Sequence, residues 1–256
     1  MSGRREAPRR SVTDRLANAL ARTRFGQRLR GLRDAASART VTQHWTSYLG
    51  SPIVACTAIL IITGIPLMLF YVPSSALVRY SGTYGPLVGT EMSRAYESML
   101  RISFEVRGGL LLRQVHHWAG LLLPALLGLQ LAATWFTGRS RRPRRLAWLL
   151  LCGAMGAALL GGWSGYGMPD DLLSGSGLRI VHGIILSIPL IGADLAFLVF
   201  GGQFPGRIIE FLYPLHVVVA PLLLVVFLVT RAVIAWRRPG TRRASTAREG
   251  RRLDEV

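Results

Sequence analysis

The chain has 256 residues, half of them apolar, and its net charge of +18 comes from 31 arginines with no lysine, set against 13 acidic residues. Such a balance could suit nucleic acid, but the arginines cluster at the edges of long apolar runs. That is the pattern of the positive-inside rule, so nucleic acid is excluded as the expected partner and membrane lipid takes its place. The two cysteines, Cys56 and Cys152, each lie within an apolar run and read as inert core residues rather than a disulfide or a metal site.

In chain order, residues 1–43 form a basic, partly amphipathic segment. Val12, Leu16, Leu20, Phe25, Leu29 and Leu32 recur at roughly helical spacing among arginines, which suits a helix on an anionic membrane face; a disordered basic tail is the alternative. Apolar runs follow at 46–71, 109–136, 147–167, 178–202 and 213–236, each close to the roughly 20 residues that cross a hydrocarbon core. If all five crossed, the basic N-terminus and the basic tail 237–256 would lie on opposite sides. The run 178–202 is the one to discount, because Pro189 and Asp194 interrupt it and Arg179 and His182 stand near its start. The expected fold is therefore an all-α integral membrane bundle of four transmembrane helices, with an interfacial helical segment between the third and fourth spans. Residues 44–236 form its membrane domain. Both termini and the arginine-rich connection 137–146 are expected in the cytoplasm, and the chain in the plasma membrane.

Ionisable groups inside spans are functional candidates. The second span carries Arg113, His116 and His117, and the fourth carries His216, all near the outer ends of their helices. Two histidines at one depth on different helices can clamp a haem iron axially, and an arginine one turn before His116 can pair with a propionate. From these residues alone, interhelical hydrogen bonding by the same histidines remains equally open. Gly50 and Gly64 on the first span and Gly165 at the end of the third would let a flat macrocycle approach.

A resemblance narrows the choice. Glu91-Met92-Ser93-Arg94-Ala95-Tyr96-Glu97-Ser98, Arg107-Gly108-Gly109-Leu110-Leu111 and Arg113-Gln114-Val115-His116-His117-Trp118 resemble the cytochrome b subunit of actinobacterial cytochrome bc complexes. So do Gly165-Tyr166-x-x-Pro169-Asp170-Asp171-Leu172-Leu173-Ser174-Gly175, Leu178-Arg179-Ile180 and Phe204-Pro205-Gly206. The similarity extends over about 44–236. It implies a haem-binding bundle of cytochrome b type, in which four helices hold two haems b, one near each membrane face. Carried over, His116 and His216 match the axial ligands of the outer-face haem, Arg113 the arginine near its propionate, and Gly64 and Gly165 the glycines at that level.

The family's inner-face ligands should fall fourteen or fifteen residues further on, a rise of roughly 21 Å. Those positions here are Gln130 on the second span and Thr230 or Arg231 on the fourth; the matching arginine and glycine positions hold Ala133 and Leu151, although Gly50 survives. One haem b is therefore expected, at the outer face, with the inner site vacant. The family's Pro-Glu-Trp-Tyr motif of the quinol-oxidising site does not occur, so half of any quinol pocket is expected from another polypeptide or is absent. The resemblance further implies quinone or quinol, a Rieske-type iron–sulfur protein and cytochrome c as partners, and a homodimer. The function expected is electron transfer as a subunit related to quinol:cytochrome c oxidoreductase, with a haem-free structural or assembly subunit as the alternative. Asp170, Asp171 and His182 read as loop and interface residues.

Overall fold

The computed structural model describes residues 23, 27, 48–141 and 144–237. The amphipathic helix expected within 1–43, the tail 238–256 and His44 lie outside the described residues. The chain from His44 to Arg237 forms one compact unit.

Its element order is α1 (Gly50–Phe70), a hairpin of β1 (Leu77–Arg79) and β2 (Glu91–Ser93), α2 (Arg94–Phe104), α3 (Gly109–Phe136), α4 (Arg145–Gly167), α5 (Leu172–Leu186), α6 (Gly192–Phe200), α7 (Ile208–Pro214), a π turn (Leu215–Val219) and α8 (Ala220–Arg237). Among the described residues four helices are long and apolar enough to cross a membrane: α1, α3, α4 and the continuous stretch Ile208–Trp236. The fold is thus a helical membrane bundle with four long apolar helices. The third span begins at Arg145 rather than 147, and the fourth begins at Ile208 rather than 213.

The run 178–202 does not cross. It is broken into α5 and α6 at Ser187–Ile191, where Pro189 ends one helix and Leu190 takes a positive φ of 69°. α5 starts earlier than the apolar run, at a capping box. The Asp171 carboxylate accepts from the Ser174 amide at 2.8 Å, and the Ser174 hydroxyl accepts from the Asp171 amide at 3.0 Å.

In lipid every backbone polar group must be satisfied within the segment, and helix contacts rely on small residues that admit close approach. α4 provides Ala154, Ala157 and Ala158, which meet Ile53 and Cys56 of α1, Leu123 and Leu127 of α3 and Leu224 of α8 in one buried cluster. The buried Thr57 and Thr63 hydroxyls donate to carbonyls one turn back, at 2.8 and 2.6 Å, and so leave no unpaired proton inside the bundle. α1 lies along α3, α3 along α4, and α4 along α8 and the π turn. α3 and α8 make no comparably close approach.

The end of the bundle where α1 finishes and α3 starts (here the histidine end) is covered by the hairpin, α2, α5, α6 and α7. Tyr71, Ala95, Ile102, Leu178, Phe200, Ile208, Ile209 and Leu212 form its buried cluster. The Tyr71 hydroxyl donates to the Met168 carbonyl at 2.7 Å, and burial, then the Asp170 and Glu210 charges, push its pKa up. Glu210 accepts from the Ser75 amide and hydroxyl at 3.1 and 2.9 Å, tying the cover to the fourth span. The turn from α2 to α3 needs glycine: Gly108 has a φ of 76°, and a Cβ on Gly109 would run into the Ile102 carbonyl. The opposite end, where α3 finishes and α4 starts, is the arginine end.

Candidate haem site

His116 stands on α3, two turns from its start, and His216 on the π turn. The Ala220 amide donates to the Leu215 carbonyl five residues back, which widens the helix where His216 leaves it. Pro221 follows at once, with no amide proton to restore the regular ladder. The two imidazoles meet between the helices that carry them, with ring centroids 6.0 Å apart and planes at 69°.

Each ring is held through Nδ1. The His216 Nδ1 lies 2.9 Å from the Gly161 carbonyl oxygen. A carbonyl only accepts, so Nδ1 carries the proton and the Nε2 lone pair is free. The His116 Nδ1 lies 2.9 Å from the Thr63 hydroxyl, whose own proton is given to Ile59, so that oxygen accepts in the same way. Ser164 lies 3.4 Å from the His216 Nδ1, a weaker second contact. Two imidazoles held through Nδ1 keep their Nε2 lone pairs for a metal, the arrangement in which a hydrogen bond at one ring nitrogen orients the other as a ligand.

Glycines line the rings. A Cβ on Gly64 would stand 3.1 Å from the His116 Cε1, and one on Gly165 only 2.5 Å from the His216 Cε1. Gly64 follows Thr63 and Gly165 follows Ser164, so α1 and α4 each offer a hydroxyl–glycine pair to the histidine of a neighbouring helix. Arg113 is half-buried one turn before His116. Its Nη1 donates to the Ser103 hydroxyl at 2.8 Å, and it lines a cavity of about 230 Å3 with Tyr84, Tyr96, Phe104 and Asp171. His117 is exposed beside Trp118 and faces away from the pair. His182 packs on Phe200 and Phe204, with ring centroids 5.0 and 4.9 Å away. Asp171 is the α5 cap.

Fit to a haem can be tested on this geometry. With a metal–imidazole bond of about 2 Å on either side and the half-width of each ring added, a linear imidazole–metal–imidazole unit puts its ring centres about 6 Å apart. Among the described residues no third His, Cys, Asp or Glu joins the pair. A metal here would take its other ligands from a macrocycle, and Gly64 and Gly165 let the two imidazoles lie against α1 and α4, where any side chain would meet the rings. The donor set and the cradle fit.

The arginine end differs. Gln130, Ala133 and Leu151 are buried, Thr230 is exposed and Arg231 is half-buried. The Gln130 Oε1 has no hydrogen-bond partner among the described residues. Side chains occupy the space at two glycines towards this end, the Phe227 ring 2.9 Å from a Cβ on Gly153 and the Met155 methyl 3.3 Å from one on Gly128, whereas Gly50, at the start of α1, has nothing within 4 Å. An amide, a hydroxyl and a guanidinium do not supply the imidazole nitrogens of a paired-histidine haem site.

The fold and the paired histidines define a four-helix membrane bundle of the kind that carries redox cofactors. Residues 121–254 match the family model described as Cytochrome b(N-terminal)/b6/petB, and the chain belongs to that family. Similar proteins include cytochrome bc1 complex cytochrome b subunits. That of Corynebacterium diphtheriae is 43% identical over 199 residues, 77% of this chain and 37% of the relative. That of Streptomyces coelicolor is 40% identical over 211 residues, 82% and 39%. That of Mycobacterium tuberculosis is 46% identical over 195 residues, 75% and 36%. The chain thus spans less than two fifths of these relatives' length. A chain of a hyperthermophilic respiratory Complex III has the same fold at a TM-score of 0.63 and 23% identity, over 78% of this chain and 49% of that one.

Proposed function

We propose that this chain is a haem b-binding electron-transfer subunit of the cytochrome b type, with one haem between α3 and α8 at the histidine end. The observation that carries the reading is the paired imidazoles, each held through Nδ1 and each facing a glycine. The haem supplies one-electron iron chemistry when bound. His116 and His216 offer their Nε2 lone pairs, Thr63 and Gly161 hold the rings in that tautomer, and Arg113 offers charge to a propionate. The buried cluster below the pair keeps water out of the bundle.

Packed side chains and the missing imidazoles at the arginine end favour a single haem. The histidine end is assigned to the outer face and the arginine end, with both termini, to the cytoplasm, because the positive charge of 137–144 belongs there. The chain then belongs to the plasma membrane, with 44–236 as its membrane domain. By analogy with the relatives, it works in a respiratory complex related to quinol:cytochrome c oxidoreductase, as a homodimer beside quinone, a Rieske-type protein and cytochrome c. The filled arginine end also suits a second reading, a haem-free structural or assembly subunit.

Haem per chain, measured as pyridine haemochrome on purified protein, separates these readings. One haem, lost in both His116→Ala and His216→Ala, is the expected result. No haem selects the structural subunit, and two haems overturn the argument about the arginine end.

A further inference from the structure

Arg113 stands one turn before His116 on α3, and its guanidinium is held from α2. Its Nη1 donates to the Ser103 hydroxyl at 2.8 Å. The Ser103 proton is given to the Met99 carbonyl at 2.8 Å, which leaves the serine oxygen to accept from the arginine. Ser103 lies in the last turn of α2, and that turn is tied down on two sides. The Arg101 guanidinium donates to the Phe70 carbonyl at the end of α1 at 3.1 Å. Ile102 is buried, and the tight Gly108–Gly109 turn brings its carbonyl against the start of α3. The acceptor is therefore a preset point on the backbone frame.

A carboxylate stands nearby and is not used. Asp171 lines the same cavity of about 230 Å3 as Arg113 and Ser103. Tyr96, in that lining, senses both charges: burial first and then Asp171 push its pKa up, while Arg113 pulls it down. Yet among the described residues no carboxylate reaches ion-pair distance of the Arg113 guanidinium. The Asp171 carboxylate accepts from the Ser174 amide at 2.8 Å instead. The difference matters for charge. A neutral hydroxyl orients a guanidinium without cancelling its charge, whereas a carboxylate at contact offsets most of it.

We propose that Ser103 is a positioning residue, holding the Arg113 guanidinium apart from Asp171 so that its charge acts on the group bound by His116 and His216. The inference rests on the haem reading and deepens it. Without the serine hydroxyl the guanidinium turns to Asp171 across the shared cavity. The arginine is still present, but the site has lost positive charge, and a bound haem becomes easier to oxidise.

The test is a redox titration of the purified full chain with its haem, with haem content and thermal unfolding measured alongside. Ser103→Ala should retain haem and lower the midpoint potential, in the same direction as Arg113→Gln and by no more than that variant. Ser103→Thr keeps the hydroxyl and should stay near wild type. In an Arg113→Gln background Ser103→Ala should shift nothing further. In an Asp171→Asn background, which keeps a capping side chain, Ser103→Ala should cause a smaller fall than in wild type. Ser103→Cys, a poorer acceptor of similar shape, serves if the alanine variant does not fold. An unchanged midpoint in haem-loaded Ser103→Ala overturns the positioning role. So does an equal fall in the Arg113→Gln or Asp171→Asn background, which a merely structural serine would give. A wild-type chain that carries no haem overturns the haem reading itself, and this role with it.

Discussion

Replacing Gly165 by alanine adds one methyl group at the place where the site has least room. The new Cβ would stand 2.5 Å from the His216 Cε1 and 2.9 Å from its Nδ1. Ordinary contact begins near 3.4 Å, so the ring must retreat by about 1 Å, a displacement large enough to upset a positioned group. That retreat stretches the 2.9 Å bond from Nδ1 to the Gly161 carbonyl. Overpacking costs about 1–3 kcal/mol, and loss of ligand orientation costs about 10–100-fold in affinity for the bound group. Gly64→Ala is milder, since its Cβ stands 3.1 Å from the His116 Cε1 and a few tenths of an ångström relieve it. Gly162→Ala meets nothing within 4 Å and should raise stability by about 0.5–1 kcal/mol through helix propensity. The assay is haemin titration of the three variants, followed by absorbance and pyridine haemochrome, with thermal unfolding alongside. The expected order of haem retention is Gly162→Ala equal to wild type, then Gly64→Ala, then Gly165→Ala. Full retention by Gly165→Ala, or equal loss in Gly162→Ala, would refute the cradle.

Thr63→Val removes the acceptor that orients His116, and a titration should show haem affinity reduced by about 10–100-fold. Ser164→Ala should cost less, because Gly161 still holds His216; the reverse order in the same titration would be inconsistent with the assigned tautomers. Arg113→Gln should lower the midpoint potential of the bound haem, read by redox titration, because it removes positive charge that favours the reduced state; Arg113→Lys should recover most of the shift. Gln130→Leu removes a buried amide oxygen that lacks a partner and should be neutral or stabilise the chain by about 1 kcal/mol in thermal unfolding. A marked loss of stability there would mean that Gln130 is satisfied by something outside the described residues. Asp171→Ala should destabilise by about 1 kcal/mol through loss of the α5 cap, with a lower midpoint in thermal unfolding.

Much of the architecture was legible in the chain because lipid imposes long apolar runs, and charge placement decides which of them cross. The same constraint made Arg113, His116 and His216 conspicuous, since polar groups are costly inside spans. The hairpin, α2 and the early start of α7 were not anticipated. β1 and β2 have three residues each, too few for a periodic signal, and the hairpin packs on α2 through Met92, Tyr80 and Leu100. The π turn has no hydropathy signature, although Pro214 and Pro221 bracket it. The hydroxyl–glycine pairs Thr63-Gly64 and Ser164-Gly165 could have been found as a repeated dipeptide on the first and third spans.

By itself the sequence determined the four spans, the non-crossing segment and which ionisable residues share a depth, because these follow from length, hydropathy and rise along a helix. Only the tertiary structure decided which nitrogen of each imidazole is free, which glycine a ring faces, and that Phe227 and Met155 occupy the space near the other end. Those depend on how each helix is rotated against its neighbour, a property of packing between residues some fifty or more positions apart and not of any one segment.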